Sequence, residues 1–492
     1  MDKIIQVITS VNGALNNFIW GPVMLAAFLI VGLMFTIRTG FFQISKFKYW
    51  IEVTFLQLFK NKKVLRTDDK HSISQFQSLC TALAATIGTG NIAGVATAIA
   101  AGGPGAVFWM WLSAFLGMMT NYAENTLGIK YRYKNEKGAW MGGAMVYIER
   151  GLGWKWLAVI FSIFCGLASF GIGNMTQANS IAHGLNDSFH IPPIATAIIL
   201  MIMVSLVIIG GIKRIASVTE KIVPFMAIFY IVGGLVVIFC NASAIPAAFG
   251  AIFREAFNFR AAGGGVLGYG IALAARKGIS RGVFSNEAGL GSSVMVHSAS
   301  DVKEPVVQGM WGIFEVFFDT LIVCTLTAFT ILSSGLVDLQ TGEILTASTG
   351  ASLVSEALST GLGSLAGGFV AIAICLFAFS TVLGWSFYGS KSCEYLFGTK
   401  ATYVYKIIFI LCIVFGATMS FDLAWAIADT LNALMAIPNL IGVLALSGTV
   451  FAITKNYTER KITKTNTAAE PMLSFDPEIQ AAQAAALKED EE

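Results

Sequence analysis

The sequence predicts an all-α polytopic membrane protein in which one extra helix precedes two units of about five spans each, the second inverted relative to the first. Three observations lead there. The 492 residues are 55% hydrophobic and only 12% charged, about half the charge of an average soluble domain. Apolar stretches long enough to cross a bilayer recur along the chain. The leading stretch of each unit is interrupted by glycines, which freely exposed helices in lipid do not tolerate at mid-depth.

Taken in order, spans are expected at residues 20–37, 79–101, 106–127, 156–183, 193–212, 221–239, 263–296, 306–336, 366–397, 405–419 and 425–454, about eleven in all. The first follows a polar lead containing Asn12, Asn16 and Asn17, and no small-residue cleavage site closes it, so it is read as a retained helix. Setting it aside leaves one unit over 79–240 and another over 263–454, and an odd-numbered unit repeated once must enter the membrane from the other side. No letter-by-letter repeat accompanies this topological inference. Residues 1–455 thus form a single membrane domain and 456–492 a tail. The stretch 130–153, with Trp140, Gly142, Gly143 and Tyr147, is too polar to span and is read as holding a short interfacial helix. Residues 241–260 and 337–364 are read as loops. The tail, with an Ala-rich piece and an acidic end, is expected to be a solvated extension with at most a local helix.

Lysine and arginine set the orientation. Lys46, Lys48, Lys60, Lys62, Lys63, Arg66 and Lys70 follow the first span; Lys130, Arg132, Lys134 and Lys137, then Lys213 and Arg214, then Lys391 and Lys400 fall in alternate loops, and Lys455, Arg460 and Lys461 open the tail. The intervening loops lack both residues, except 241–260 with Arg254 and Arg260. The N-terminus is expected outside and the C-terminus inside a cell membrane. The net charge of +3 is explained by this topology and offers no basic groove for nucleic acid. Seven cysteines stand singly, and the four histidines show no metal-ligand spacing.

The break in residues 79–101 is the candidate site. A helix that stops at Ile87 presents free carbonyls, and one that restarts near Gly90 presents free amides, so Gly88, Thr89, Gly90 and Asn91 offer a partly negative and a partly positive end side by side. No Asp, Glu, Lys or Arg lies between Thr81 and Ala101. A zwitterion and a small cation suit such a place. The competing reading is close helix packing through the Gly90 and Gly94 pair. The same letters mimic a dinucleotide fingerprint, but no strand precedes them. In the second unit the glycines are Gly263, Gly264, Gly265, Gly268 and Gly270, followed by Arg276, Lys277 and the run Arg281 to Ser293.

Elsewhere, Asn174 and Gln177 lie three apart in an apolar span, for ligand contact or for interhelical bonding. Thr381 and Trp385 share a face of residues 366–397; hydroxyls there suit sodium, and the alternative is back-bonding to their own helix. Buried charges cost about 2.5–3.5 kcal/mol each and call for partners; the candidates are Glu124, Glu287, Glu315, Asp319 and Asp429, with a relay or pairing to Arg276 or Arg281 open for Glu315 and Asp319. Glu287 adjoins the second break, as a gate or a ligand.

Gly88, Thr89, Gly90, Asn91, Ile92, Ala93, Gly94 and Val95, together with the run Arg281 to Ser292 and with Phe379, Ser380, Thr381 and Trp385, resemble the alanine or glycine:cation symporter family, of the amino acid, polyamine and organocation superfamily. The resemblance runs from Asn12 to about Lys455. It implies a leucine-transporter-type inverted five-plus-five repeat and sodium-coupled uptake of alanine or glycine by alternating access. The alternative is a glutamine-preferring or proton-coupled transporter of the same fold. It further implies the substrate carboxylate on the amides of Thr89 and Gly90, the ammonium near the carbonyl of Thr86, and a pocket closed by Asn91, Gln177, Phe284, Asn286, Thr381 and Trp385. Sodium would lie between the carbonyls of Ala84 and Ile87 and Phe377, Ser380 and Thr381. An intramembrane enzyme would need a nucleophile and base or a metal cluster, and the spans offer neither; a channel fits poorly with paired breaks and an occluding tryptophan. The partners expected are the amino acid, sodium and the lipid bilayer.

Overall fold

The computed structural model of the chain describes residues 2–257, 269–418 and 421–491. Among these, seven helices are long and apolar enough to cross a membrane, and eight if the bent pair Gln75–Thr86 and Gly90–Gly102 counts as one span. Three further expected spans fall short by that measure for separate reasons. Gly105–Tyr131 is 27 residues long but buries Asn121, Glu124 and Asn125. Pro193–Ile208 has 16 residues. Tyr269–Asn286 lacks its leading part, because Gly263, Gly264, Gly265 and Gly268 lie outside the described residues. With these three the expected spans are accounted for.

The polar lead is itself a helix, Asp2–Ile19, ahead of Pro22–Arg38. Asn16 donates to Thr430 Oγ1 at 3.3 Å and Trp20 Nε1 to Asp429 O at 3.2 Å, so this lead is held against Phe421–Ala445. Two stretches expected as loops contain helices, Ile245–Ala256 and Gly350–Leu362. Each buries a small apolar stripe, Ala248, Ala251, Ile252 and Ala256 in the first, which is too short to register as a span. The short helix expected within 130–153 is Ala144–Leu152, behind a two-stranded hairpin of Tyr133–Lys134 and Trp140–Met141. Gly350–Leu362 stands at the matching place in the second unit, between its second and third spans.

Glycine stripes bring the central helices together. Gly105–Tyr131 runs along both Tyr269–Asn286 and Pro305–Val316. A methyl added at Gly278 would lie 2.2 Å from Ala106 O, one at Gly282 2.7 Å from Ser113 Oγ, and one at Gly312 2.4 Å from Asn125 Nδ2. Small residues at such spacing let backbones approach where lipid supplies no hydrophobic drive. Against expectation, the tail is not simply solvated: Leu473 and Ser474 are each 1% exposed, and Phe475 donates its amide to Lys130 O at 2.7 Å. Composition misleads here because Met472, Leu473 and Phe475 fall together just before the helix Pro477–Glu491.

Candidate functional site

The first broken helix starts with a capping box, Ser74 with Gln77, and runs to Thr86. Ile87 takes the last helical bond, to Leu83 O at 2.8 Å, and then leaves the helix with ψ of 91°. The chain resumes as a π-helical turn, Gly90–Gly94, before Val95–Gly102, bent by 52° from the first half. Every residue from Thr81 to Asn91 is buried, so the opened backbone faces protein, as a break at this depth requires. The amides of Thr89 and Gly90 open the second half and have no acceptor one turn back within it.

Asn91 holds the break. Its Oδ1 accepts from Gly88 N at 2.9 Å, and its Nδ2 donates to Asp319 Oδ1 at 2.7 Å. Asp319 accepts further from Ser285 Oγ and Thr320 Oγ1, each at 2.8 Å on Oδ2. Asn286 reaches the same group through Thr320 Oγ1 at 3.0 Å. One carboxylate therefore ties the first break to the end of the second broken helix. Asp319 stands in another π-helical stretch, Phe317–Cys324, which turns it and Glu315 onto different neighbours. Sequence reasoning misses Thr320, because nothing in the letters distinguishes it from an ordinary span hydroxyl.

The other walls come from the fourth and ninth expected spans. Gln177 Oε1 accepts from Thr89 Oγ1 at 3.2 Å, while Asn174 donates to Phe409 O at 2.5 Å. The two amides part company because the π-helical turn Gly171–Met175 lies between the straight helices, so Asn174 serves helix packing and Gln177 faces the break. A methyl on Gly88 would lie 2.6 Å from Thr381 Oγ1, and one on Gly384 2.7 Å from Ala85 Cβ, which places Ala366–Phe397 against the break. Ser380 and Thr381 donate to Phe377 O at 2.8 and 2.9 Å. The expected back-bonding is real, and it leaves the hydroxyl lone pairs free to face a cation. Phe284 packs its ring 3.2 Å from where a methyl on Gly90 would sit, whereas Gly94 has room, its nearest neighbour being Arg281 Cδ at 4.0 Å. Close packing thus explains Gly90 and not the pair. Trp385 is 1% exposed and meets the Tyr388 ring edge-on at 5.4 Å.

The remaining buried acids have found partners. Arg281 binds both oxygens of Asp429, at 3.0 and 2.8 Å, and Arg276 reaches Asn17, so neither serves Glu315 or Asp319. Glu315 pairs with His297 at 2.9 Å and accepts from Asn121 at 2.9 Å. Glu124 accepts from Asn439, which also holds Gly289 O at 2.9 Å. Glu287 has the left-handed φ of 57° at the start of the second break and accepts from Ser292 at 2.5 Å.

Residues 5–471 match the model of the sodium:alanine symporter family. The chain belongs to this family. It is accordingly a membrane transporter of the sodium-coupled amino-acid symporter class and not an enzyme. Among relatives of this symporter, the sodium/alanine symporter AgcS of Methanococcus maripaludis is 47% identical over 454 residues, 92% of this chain and 97% of that protein. The probable sodium/glutamine symporter GlnT of Bacillus subtilis is 37% identical over 458 residues, covering 93% and 92%. The fold is that of leucine-transporter-type proteins: a Na+-coupled sialic acid symporter in a substrate-bound outward-open state superposes with a TM-score of 0.53 at 13% identity, covering 97% of this chain and 96% of that one. MhsT in complex with L-phenylalanine gives 0.52 at 15% identity, covering 85% and 98%.

Proposed function

We propose that this symporter imports a small neutral amino acid, alanine or glycine, together with sodium by alternating access across the cell membrane, with its N-terminus outside and its C-terminus inside. The observation that carries the reading is the buried break at 87–90, held open by Asn91 and walled by Gln177, Thr381 and Phe284. Membership of the family supports the solute class, and the 47% identity to AgcS favours alanine over the glutamine of GlnT.

In this reading the amides of Thr89 and Gly90 hold the substrate carboxylate, and the Thr86 carbonyl receives the ammonium. The Thr86 hydroxyl donates back to Ala82 O and Leu83 O at 3.3 and 3.4 Å, so its proton is held within its own helix. Sodium lies between the last-turn carbonyls of Ala84 and Ile87 and the oxygens of Phe377, Ser380 and Thr381, a set of hard neutral donors suited to a monovalent cation. Asn286 acts through Thr320 rather than by touching substrate. Trp385, from Ala366–Phe397, and Glu287, from the second break, cover the pocket. One charge falling through 100 mV supplies about 2.3 kcal/mol, and a tenfold sodium gradient adds about 1.4 kcal/mol. Together these permit roughly 500-fold accumulation of a neutral solute at one sodium each.

The test is uptake of labelled alanine, glycine and glutamine into proteoliposomes, with external sodium or with choline in its place. Uptake of alanine or glycine that needs sodium is expected; equal uptake in choline at fixed pH sinks sodium coupling, and preference for glutamine moves the solute to the alternative. Thr381→Val, which removes one ligand oxygen and keeps the shape, should raise half-saturating sodium about tenfold, the order of one charge-assisted contact. An unchanged sodium titration removes Thr381 from the ion site.

A further inference from the structure

The inner face closes where the two repeats meet. Ile73, leading into the first broken helix, donates its amide to Ala299 O at 3.0 Å and accepts from Asp301 N at 2.8 Å, pairing with the segment that leaves the second. Arg132 grips that same segment. It is 2% exposed; Nη1 donates to Ser298 O and Ser300 O at 2.9 and 2.6 Å, and Nη2 to Val302 O at 2.8 Å. Its guanidinium lies 4.0 Å from the Trp140 ring centroid. In the alternating-access reading proposed above, opening toward the inside along this seam parts Arg132 and Ile73 from residues 298–302.

The tail lies across this seam and is fastened on both sides of it. Asn456, near the end of the helix Ser447–Tyr457, sets its path by donating to Glu470 O at 3.0 Å and accepting from Met472 N at 3.3 Å. On one side, Phe475 N donates to Lys130 O at 2.7 Å, its ring meets Tyr131 at 5.3 Å, and Arg150 lies 5.5 Å over it. Arg150 pairs with Asp476 at 3.3 Å while also donating to Tyr131 O at 3.1 Å, so the tail joins the very helix end that carries Arg132. On the other side, Lys303, next after Val302, donates to Ala486 O at 3.4 Å. The helix Pro477–Glu491 bridges the two.

We propose that residues 470–486 are a latch that restrains opening of the inner seal, with Phe475 and Asp476 as the clasp and Lys130, Tyr131 and Arg150 as its seat. The latch rests on the alternating-access reading and the inner placement of the C-terminus proposed above. Its two parts differ in strength. Leu473 and Ser474 are 1% exposed and fix the path, but Phe475 is 51% exposed and the Arg150 and Asp476 side chains are 26% and 27% exposed. A pair that solvated is weak and is screened by salt, which suits a clasp that must release in every cycle.

The test reads the seal directly. Ser300 is fully buried and its hydroxyl bonds nothing among the described residues, so Ser300→Cys, in a chain whose other cysteines are replaced, places a thiol there with little disturbance. Its rate of reaction with a charged, impermeant maleimide is measured in inside-out vesicles. Adding Phe475→Ala with Asp476→Asn should speed labelling roughly three- to tenfold, the size of losing one part-exposed ion pair and one cation–π interaction. Raising potassium chloride at constant sodium should speed the parent and leave the double variant unchanged. Equal rates in parent and variant, or slower labelling in the variant, overturn the latch; Asp476→Lys alone, which keeps Phe475 and the backbone bonds, decides the matter if the double variant does not insert. Adding sodium and alanine to the parent tests the transport cycle separately. No change there counts against alternating access and leaves the comparison of parent with clasp variant standing.

Discussion

Sodium-driven uptake should disappear in Asn91→Ala while the protein still inserts in the membrane. The two shortest bonds of the side chain run to Gly88 N at 2.9 Å and to Asp319 Oδ1 at 2.7 Å, and alanine replaces neither. Losing a neutral bond and one to a carboxylate is worth about 2–4 kcal/mol, and if that stabilisation belongs to the binding-competent break, transport falls by roughly thirty- to a thousandfold. Insertion is unaffected because the packing of Gly105–Tyr131 on its neighbours involves Gly278, Gly282 and Gly312, not Asn91. Initial rates of alanine uptake, normalised to protein recovered in the membrane, check this. Wild-type uptake would remove Asn91 from the site.

Asp319→Asn is expected to be nearly as damaging, despite keeping the shape. The carboxylate accepts from three donors, Asn91, Ser285 and Thr320. An amide brings one acceptor oxygen and an NH2 group, so whichever way it turns, either Asn91 Nδ2 meets another donor or the Ser285 and Thr320 hydroxyls lose the acceptor they share. An unsatisfied buried group costs about 1–3 kcal/mol, and the bonds at stake are those by which Asp319 joins the two broken helices. Uptake about a hundredfold lower, with the purified protein still monodisperse, is the expected outcome. A rate within twofold of wild type would show that the two breaks are positioned without Asp319.

How much of the site is legible in the letters varies by residue. Thr89, Gly90 and Asn91 are visible because glycines inside an uncharged apolar stretch have few explanations. Gln177 and Thr381 stand out as polar groups at helical spacing, and both lie at the break. The same spacing rule fails for Asn174, since π-helical turns shift the face by a residue and leave no mark in composition. Asp319 is visible as a costly charge, but its partners are not: the expected arginines serve Asp429 and Asn17.

Hydropathy and glycine placement alone determined the all-helical membrane character, the expected spans and the first interruption, because each is a local demand of backbone groups in a medium without water. Which side chains meet there was decided by tertiary structure, because helix rotation depends on glycine packing between elements far apart in the chain, such as Gly384 on Ala85. The tail shows the same division: its composition reads as solvated, yet it is seated by Lys130 and Arg150, residues more than 300 positions away.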